Sequence, residues 1–199
     1  MPRAVLFDLD GVLTTDKTGS QSTLRSLADH TGLPEETLRT AYCRHNRALL
    51  NGSTTHAAIW PELCAEAGQE IDLALLHTAF IETPMDGGML AIAREMKAQG
   101  CRIALVTDNK ADRVHAILKH HGLHDLFDAV AISAEVGSGK GERAIFDAAL
   151  IRLGVTAEDC VFIDNTAQNL AVPQAMGMQT ILFDDETRDV EGLRRIIGF

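Results

Sequence analysis

Short apolar runs and longer amphipathic stretches alternate along the second half of this chain. Runs rich in Val, Ile, Leu and Phe fall at 102–106, 129–132, 160–163 and 179–183, and helical periodicity fills 86–99, 110–121, 142–153 and 168–176. Gly100, Gly122, Gly154 and Gly177 close those helical stretches, where a residue free to adopt positive φ is favoured. An earlier run, Ala4 to Phe7, has no polar interruption, as in a strand covered on both faces. The alternation predicts an α/β fold, a parallel sheet flanked by helices.

Residues 16–84 follow a different rule. Helical periodicity occupies 23–31, 34–50, 54–67 and 71–83 with no convincing strand, Pro34 suits a first helical position, and Pro61 predicts a break in the third segment. The pattern predicts an all-helical insertion at 16–84 between the first strand and a core formed by 1–15 and 85–199. Such an insertion leaves the sheet at the carboxyl end of the first strand and is placed to act as a lid.

The strand ends carry the chemistry. The first is followed by Asp8, Asp10 and Gly11, the second by Thr107, Asp108 and Asn109, and the fourth by Asp164 and Asn165; Lys140 follows Gly137-Ser138-Gly139 between the third and fourth. In open α/β sheets these ends share one edge, where ligands bind. Two carboxylates as close as Asp8 and Asp10 imply a cation, a shared proton or exposure to water. Carboxylates for a hard cation, with a hydroxyl, backbone N–H groups and an ammonium for an anion, suit a phosphate held with Mg²⁺.

Together these segments resemble the four motifs of the haloacid dehalogenase superfamily, most of whose members are Mg²⁺-dependent phosphatases and phosphotransferases. The first motif matches Phe7-Asp8-Leu9-Asp10-Gly11-Val12-Leu13-Thr14, the second Val106-Thr107-Asp108-Asn109, the third Lys140 and the fourth Phe162-Ile163-Asp164-Asn165. The resemblance implies a Rossmann-like core with a small helical cap of the first subfamily's type. It also implies that Asp8 is the nucleophile, forming an aspartyl-phosphate, and that Asp10 is the proton donor and acceptor. Lys140 would offset the charge on Asp8, and Thr107, Asp108, Asn109 and Lys140 would hold the phosphoryl group. Asp8, Asp10, Asp164 and Asn165 would hold Mg²⁺. Asn165 departs from the pair of acids common at this place; its amide oxygen can bind Mg²⁺ but adds no charge, so weaker metal binding is expected. Gly141 departs from a proline common after the lysine.

Composition narrows the partners. The chain has 199 residues, 46% of them hydrophobic, and a formal charge of −10, which disfavours nucleic acid and anionic membrane as partners. Four scattered cysteines, Cys43, Cys64, Cys101 and Cys160, and no signal-peptide pattern in the opening residues lead us to expect a cytoplasmic protein, monomeric or homodimeric. The glycines around Lys140 fail the Walker A pattern, with Ala134 and Gly141 in the wrong places. His115, His120, His121 and His124 sit on and after an amphipathic helix, where cationic side chains suit the C-terminal end better than a metal cluster would. Arg44, His45, Arg47, His56 and Trp60 are candidates to read the substrate from the insertion, although Trp60 equally suits a core.

These features lead us to expect a phosphatase acting on a small phosphorylated metabolite, a sugar phosphate or nucleoside monophosphate. A phosphomutase would share all four motifs, and a catalytically weak binding protein is the reading Asn165 favours. A 2-haloacid dehalogenase would typically carry an aromatic residue in place of Asp10.

Overall fold

The computed structural model describes residues 2–198. Five parallel strands, β1 (Ala4–Phe7), β2 (Arg102–Thr107), β3 (Ala129–Ile132), β4 (Cys160–Asp164) and β5 (Gln179–Leu182), form one sheet in the order β3-β2-β1-β4-β5. Strand β1 is central, with Phe7 opposite Leu105 on one side and Ile163 on the other. Its residues alternate between two cores. Val5 and Phe7 pack with α6 (Gly87–Ala98), α7 (Ala111–His120) and α11 (Val190–Ile197), while Ala4 and Leu6 pack with α9 (Arg143–Leu153). Burial on both faces explains the unbroken apolar runs.

The insertion contains α1 (Ser20–Thr31), α2 (Glu35–Arg44), α3 (Asn46–Leu50), α4 (His56–Ala67) and α5 (Leu73–Ile81). These five helices enclose a core of their own, with Leu24, Leu38, Tyr42, Trp60 and Phe80, that extends onto Ala116 of α7. The chain enters and leaves the insertion at adjacent points. Thr14 and Met85 form an antiparallel bridge, and Thr15 N–H donates to the Pro84 carbonyl at 3.0 Å. Arg188 ties this junction down, donating to the Gly11 and Val12 carbonyls and pairing with Asp86.

Local details differ from the periodicity. Pro61 does not break its segment but lies inside α4; the carbonyl it deprives of a partner belongs to exposed Ala57, where water can satisfy it. The 34–50 stretch is two helices parted at His45, and 168–176 is a 3₁₀ turn (Ala167–Leu170) followed by α10 (Ala171–Ala175). A short α8 (Ser133–Val136) follows β3. Among the described residues, no helix is long and apolar enough to cross a membrane.

Candidate active site

Parallel pairing aligns the carboxyl ends of β1, β2 and β4, so Asp8, Thr107 and Asp164 emerge at one edge of the sheet. Leu9–Leu13 forms a single widened turn in which Thr14 N–H reaches back to the Leu9 carbonyl at 2.9 Å. Gly11 makes the turn with φ of 77°, and a Cβ there would lie 2.1 Å from Asn165 Nδ2. The positive φ favours glycine, and its bare Cα leaves the Asn165 amide room beside the first motif.

Lys140 is the hub. Its Nζ lies 2.9 Å from Asp8 Oδ2 and 2.7 Å from Asp164 Oδ2, and all three side chains are buried. One ammonium therefore serves two carboxylates. Burial pushes the Asp8 carboxyl up to about 7; Lys140 opposes that shift and Asp164 adds to it. Burial alone would lower the Lys140 ammonium, but the two acids carry it above its ordinary value. Asp164 is further fixed by the Thr166 N–H at 2.7 Å and by Asn169 Nδ2 at 3.1 Å.

Asp10 belongs to a second cluster. Arg113 on α7 grips it with both arms, Nη1 to Oδ2 and Nη2 to Oδ1, each at 2.9 Å, and Asn109 Nδ2 adds a 2.7 Å bond to Oδ2. Arg113 is 1% exposed and also reaches Thr83 at 3.3 Å, at the end of the insertion. In this arrangement Asp10 is an ion-pair acceptor with both oxygens engaged.

The remaining residues of the second motif divide their work. Thr107 is buried and accepts from Asn109 Nδ2 at 3.3 Å. Asn109 Oδ1 also accepts the Lys110 N–H at 3.0 Å, so the side chain braces the turn into α7. The Asp108 side chain is exposed and turned toward the Lys140 loop, accepting the Lys140 N–H at 2.8 Å. Its carboxylate positions Lys140, leaving its backbone as the part free to meet an anion. Across the sheet, Asn165 Nδ2 donates to Asp185 at 2.9 Å, so the amide oxygen is its uncommitted ligand atom.

Sequence reasoning missed Arg113, Asn169 and Asp185. Arg113 had one signal, since a cation in the first turn of a helix opposes the dipole and needs a local anion. Several insertion candidates are occupied elsewhere. Trp60 is in the helical core with Nε1 bonded to the Ile71 carbonyl at 2.7 Å, Arg44 pairs with Glu66, and His45 faces Glu62 at 3.8 Å. His56 is buried between Tyr42 at 2.9 Å and Asp112 at 2.7 Å. Arg47 lines a surface crevice with Asn51, Asp108 and Ser138. His115 pairs with Glu135 at 2.6 Å, and His120 stacks edge-on against His121.

Comparison with known proteins agrees with this fold. The haloacid dehalogenase-like hydrolase family model matches residues 2–177, and the chain belongs to that family. It is 29% identical over 204 residues to a phosphatase of Mycobacterium tuberculosis, covering 94% of this chain and 90% of the relative. It is 28% identical over 131 residues to a sesquiterpene phosphatase of Aspergillus oryzae, spanning 66% of each. An enzyme of the same family from Bacteroides thetaiotaomicron, solved with magnesium and inorganic phosphate, superposes with a TM-score of 0.70 at 18% identity, covering 91% of this chain and 93% of that one.

Breaking the Arg113 clamp should be costly. Replacing Arg113 by Leu strands the buried Asp10 carboxylate, and urea unfolding at neutral pH should show a loss of about 3–5 kcal/mol, the scale for removing one partner of a buried pair. A loss within about 0.5 kcal/mol, the scale of an ordinary surface substitution, would mean that Asp10 does not depend on this contact.

Proposed function

We propose that this chain is a Mg²⁺-dependent phosphatase that hydrolyses a small phosphomonoester through an aspartyl-phosphate on Asp8. The observation that carries the reading is the sharing of one Lys140 ammonium by the buried Asp8 and Asp164. Two acids and one ammonium leave uncompensated negative charge in a buried place, which a cation relieves. The donor set is hard oxygen from Asp8, the Asp10 carbonyl, Asp164 and the Asn165 amide, which fits Mg²⁺. The relatives support the same reading, since they include a Mycobacterium tuberculosis phosphatase and a Xanthomonas campestris phosphoglycolate phosphatase, the latter 26% identical over 185 residues. The Bacteroides thetaiotaomicron neighbour was solved with magnesium and phosphate.

Each residue then has a task. Mg²⁺, when bound, neutralises charge on the phosphoryl oxygens and holds the phosphoryl group toward the nucleophile. Asp8 attacks phosphorus and forms a covalent intermediate, which divides one difficult displacement into two. Lys140 keeps Asp8 oriented, offsets its charge and faces a phosphoryl oxygen. Thr107 supplies a hydroxyl to the same group. Asp10, once loosened from Arg113 and protonated from solvent, gives that proton to the departing alkoxide and later takes one from the attacking water. To do so it exchanges at least one of its two Arg113 bonds for the substrate oxygen. The insertion over this edge acts as a cap that excludes water and favours compact substrates.

The nucleophile assignment is tested by screening small phosphomonoesters with Mg²⁺ for both the native protein and Asp8→Asn. The native protein should turn over at least one ester, and Asp8→Asn should lose about 10³-fold or more, as expected when a nucleophile is removed. Turnover unaffected by Asp8→Asn would overturn the mechanism.

A proton competes with the metal at Asp8. With its carboxyl raised to about 7, Mg²⁺ affinity measured by calorimetry should tighten by about tenfold from pH 6 to pH 8. Because the folded state holds this proton more tightly than the unfolded chain, Mg²⁺-free protein should also lose stability as pH rises from about 4 to about 7. A pH-independent affinity would show that Asp8 does not bind the metal.

Asn165 sets the strength of metal binding. Asn165→Asp adds a charge to the donor set but turns a carboxylate toward Asp185 across a 2.9 Å contact. The expected result is tighter Mg²⁺ binding in calorimetry, with the larger gain in Asn165→Asp combined with Asp185→Asn. Equal affinity in all three proteins would remove Asn165 from the metal site.

A further inference from the structure

Lys110 is a buried cation that the mechanism leaves unused. It is 6% exposed, and its Nζ has no hydrogen-bond acceptor or carboxylate within pairing distance among the described residues. The Nζ lies over the Tyr42 ring, 5.6 Å from its centroid. The two carboxylates whose charge it feels both have other partners: Asp10 the Arg113 fork, and Asp112 the His56 ring at 2.7 Å. Burial, followed by repulsion from Arg113, pushes the Lys110 ammonium down to about 8. A desolvated, unpaired charge is costly to keep.

The surroundings form a receptor. Lys110 precedes the first turn of the ten-residue helix α7, whose free N–H groups add positive potential. It lines a cavity of about 210 Å³ at the seam between core and insertion, with Thr54, Thr55 and His56 on the insertion side and Asp112 on the core side. The seam is tightly closed beside it. A Cβ on Gly52 would lie 1.9 Å from the Ala134 carbonyl oxygen, and Ser133 Oγ donates to the Leu50 carbonyl at 2.7 Å. Lys110 is also only three residues beyond Thr107, on the loop that meets the phosphoryl group.

We propose that Lys110 receives a second acidic group of the substrate, so that the enzyme selects phosphomonoesters whose alcohol carries a carboxylate or another phosphate. This deepens the phosphatase reading and rests on it. The phosphoryl group lies at Asp8, the alcohol runs past Asp10 beneath the insertion, and its acidic end meets the ammonium at the seam. A charge-assisted pair made in a buried site gives affinity that a hydroxyl in the same place does not. The cation then serves binding at the expense of the free protein's stability.

The test uses the Mg²⁺-loaded full chain and three esters of matched length: phosphoglycolate with a carboxylate, ethylene glycol bisphosphate with a second phosphate, and 2-hydroxyethyl phosphate with neither. Each is assayed as a substrate and as a competitor of p-nitrophenyl phosphate hydrolysis. The native protein should favour at least one acidic ester over the neutral one by about tenfold or more, mainly in KM or in the inhibition constant. Which acidic ester leads identifies the group. Lys110→Met should collapse that ratio toward one and raise Tm, whereas Lys110→Arg should retain part of the preference. Hydrolysis with no preference for an acidic ester, or a preference that survives Lys110→Met, would overturn this inference and leave the phosphatase reading intact. No hydrolysis of any ester, p-nitrophenyl phosphate included, would overturn both.

Discussion

Asp8 and Asp164 share a single ammonium, and the rest of the site is arranged around that shortage of positive charge. The sheet creates it. Parallel pairing of β1 with β4 brings two strand ends to the same edge, each continuing into an acid, and both acids are buried. Repulsion at this distance in a dry environment would expel one carboxylate if Lys140 were absent. Lys140 can reach both because its own backbone is held by Asp108, whose carboxylate accepts the Lys140 N–H. A residue expected to face phosphate therefore contributes its carboxylate to the placement of Lys140.

Asp10 is managed by a different solution. A guanidinium satisfies two carboxylate oxygens at once with fixed geometry, so the Asp10–Arg113 pair is locally complete where the Asp8–Asp164 pair is not. The Asp8–Asp164 cluster retains an unbalanced negative charge, while the Asp10–Arg113 pair holds its carboxylate in a defined position. Arg113 also touches Thr83 as the chain leaves the insertion, so the side chain that grips Asp10 also contacts the end of the insertion.

The sheet was legible because burial on both faces leaves no room for polar residues in β1, β2 and β4, and the chemistry was legible because it interrupts those runs at their ends. Asp8, Thr107 and Asp164 could be aligned from strand position, whereas Lys140 was reached only through its Gly-rich lead-in and the resemblance of the four motifs. Asn169 and Asp185 could not, because each acts through a contact made only after the loops beyond β4 and β5 fold against the sheet edge. Pro61 misled for a local reason: the lost helical hydrogen bond falls on the exposed side of α4, where it costs little. The contact of the Asp108 carboxylate with the Lys140 N–H was not legible, because it depends on how the loop before Lys140 folds back onto the end of β2.

Two cations, Lys110 and Arg113, stand at the start of α7, where the helix dipole disfavours both. Only one can be satisfied by Asp10, and side-chain shape decides which. The Arg113 fork takes both oxygens at 2.9 Å, whereas an ammonium is a point charge and would leave one oxygen open. Once the fork is engaged and Asp112 is bound to His56, no acid is left for Lys110. The same contact that satisfies Asp10 thus leaves an uncompensated charge at the seam, and the geometry of one guanidinium fixes both how Asp10 is held and which cation goes without a partner.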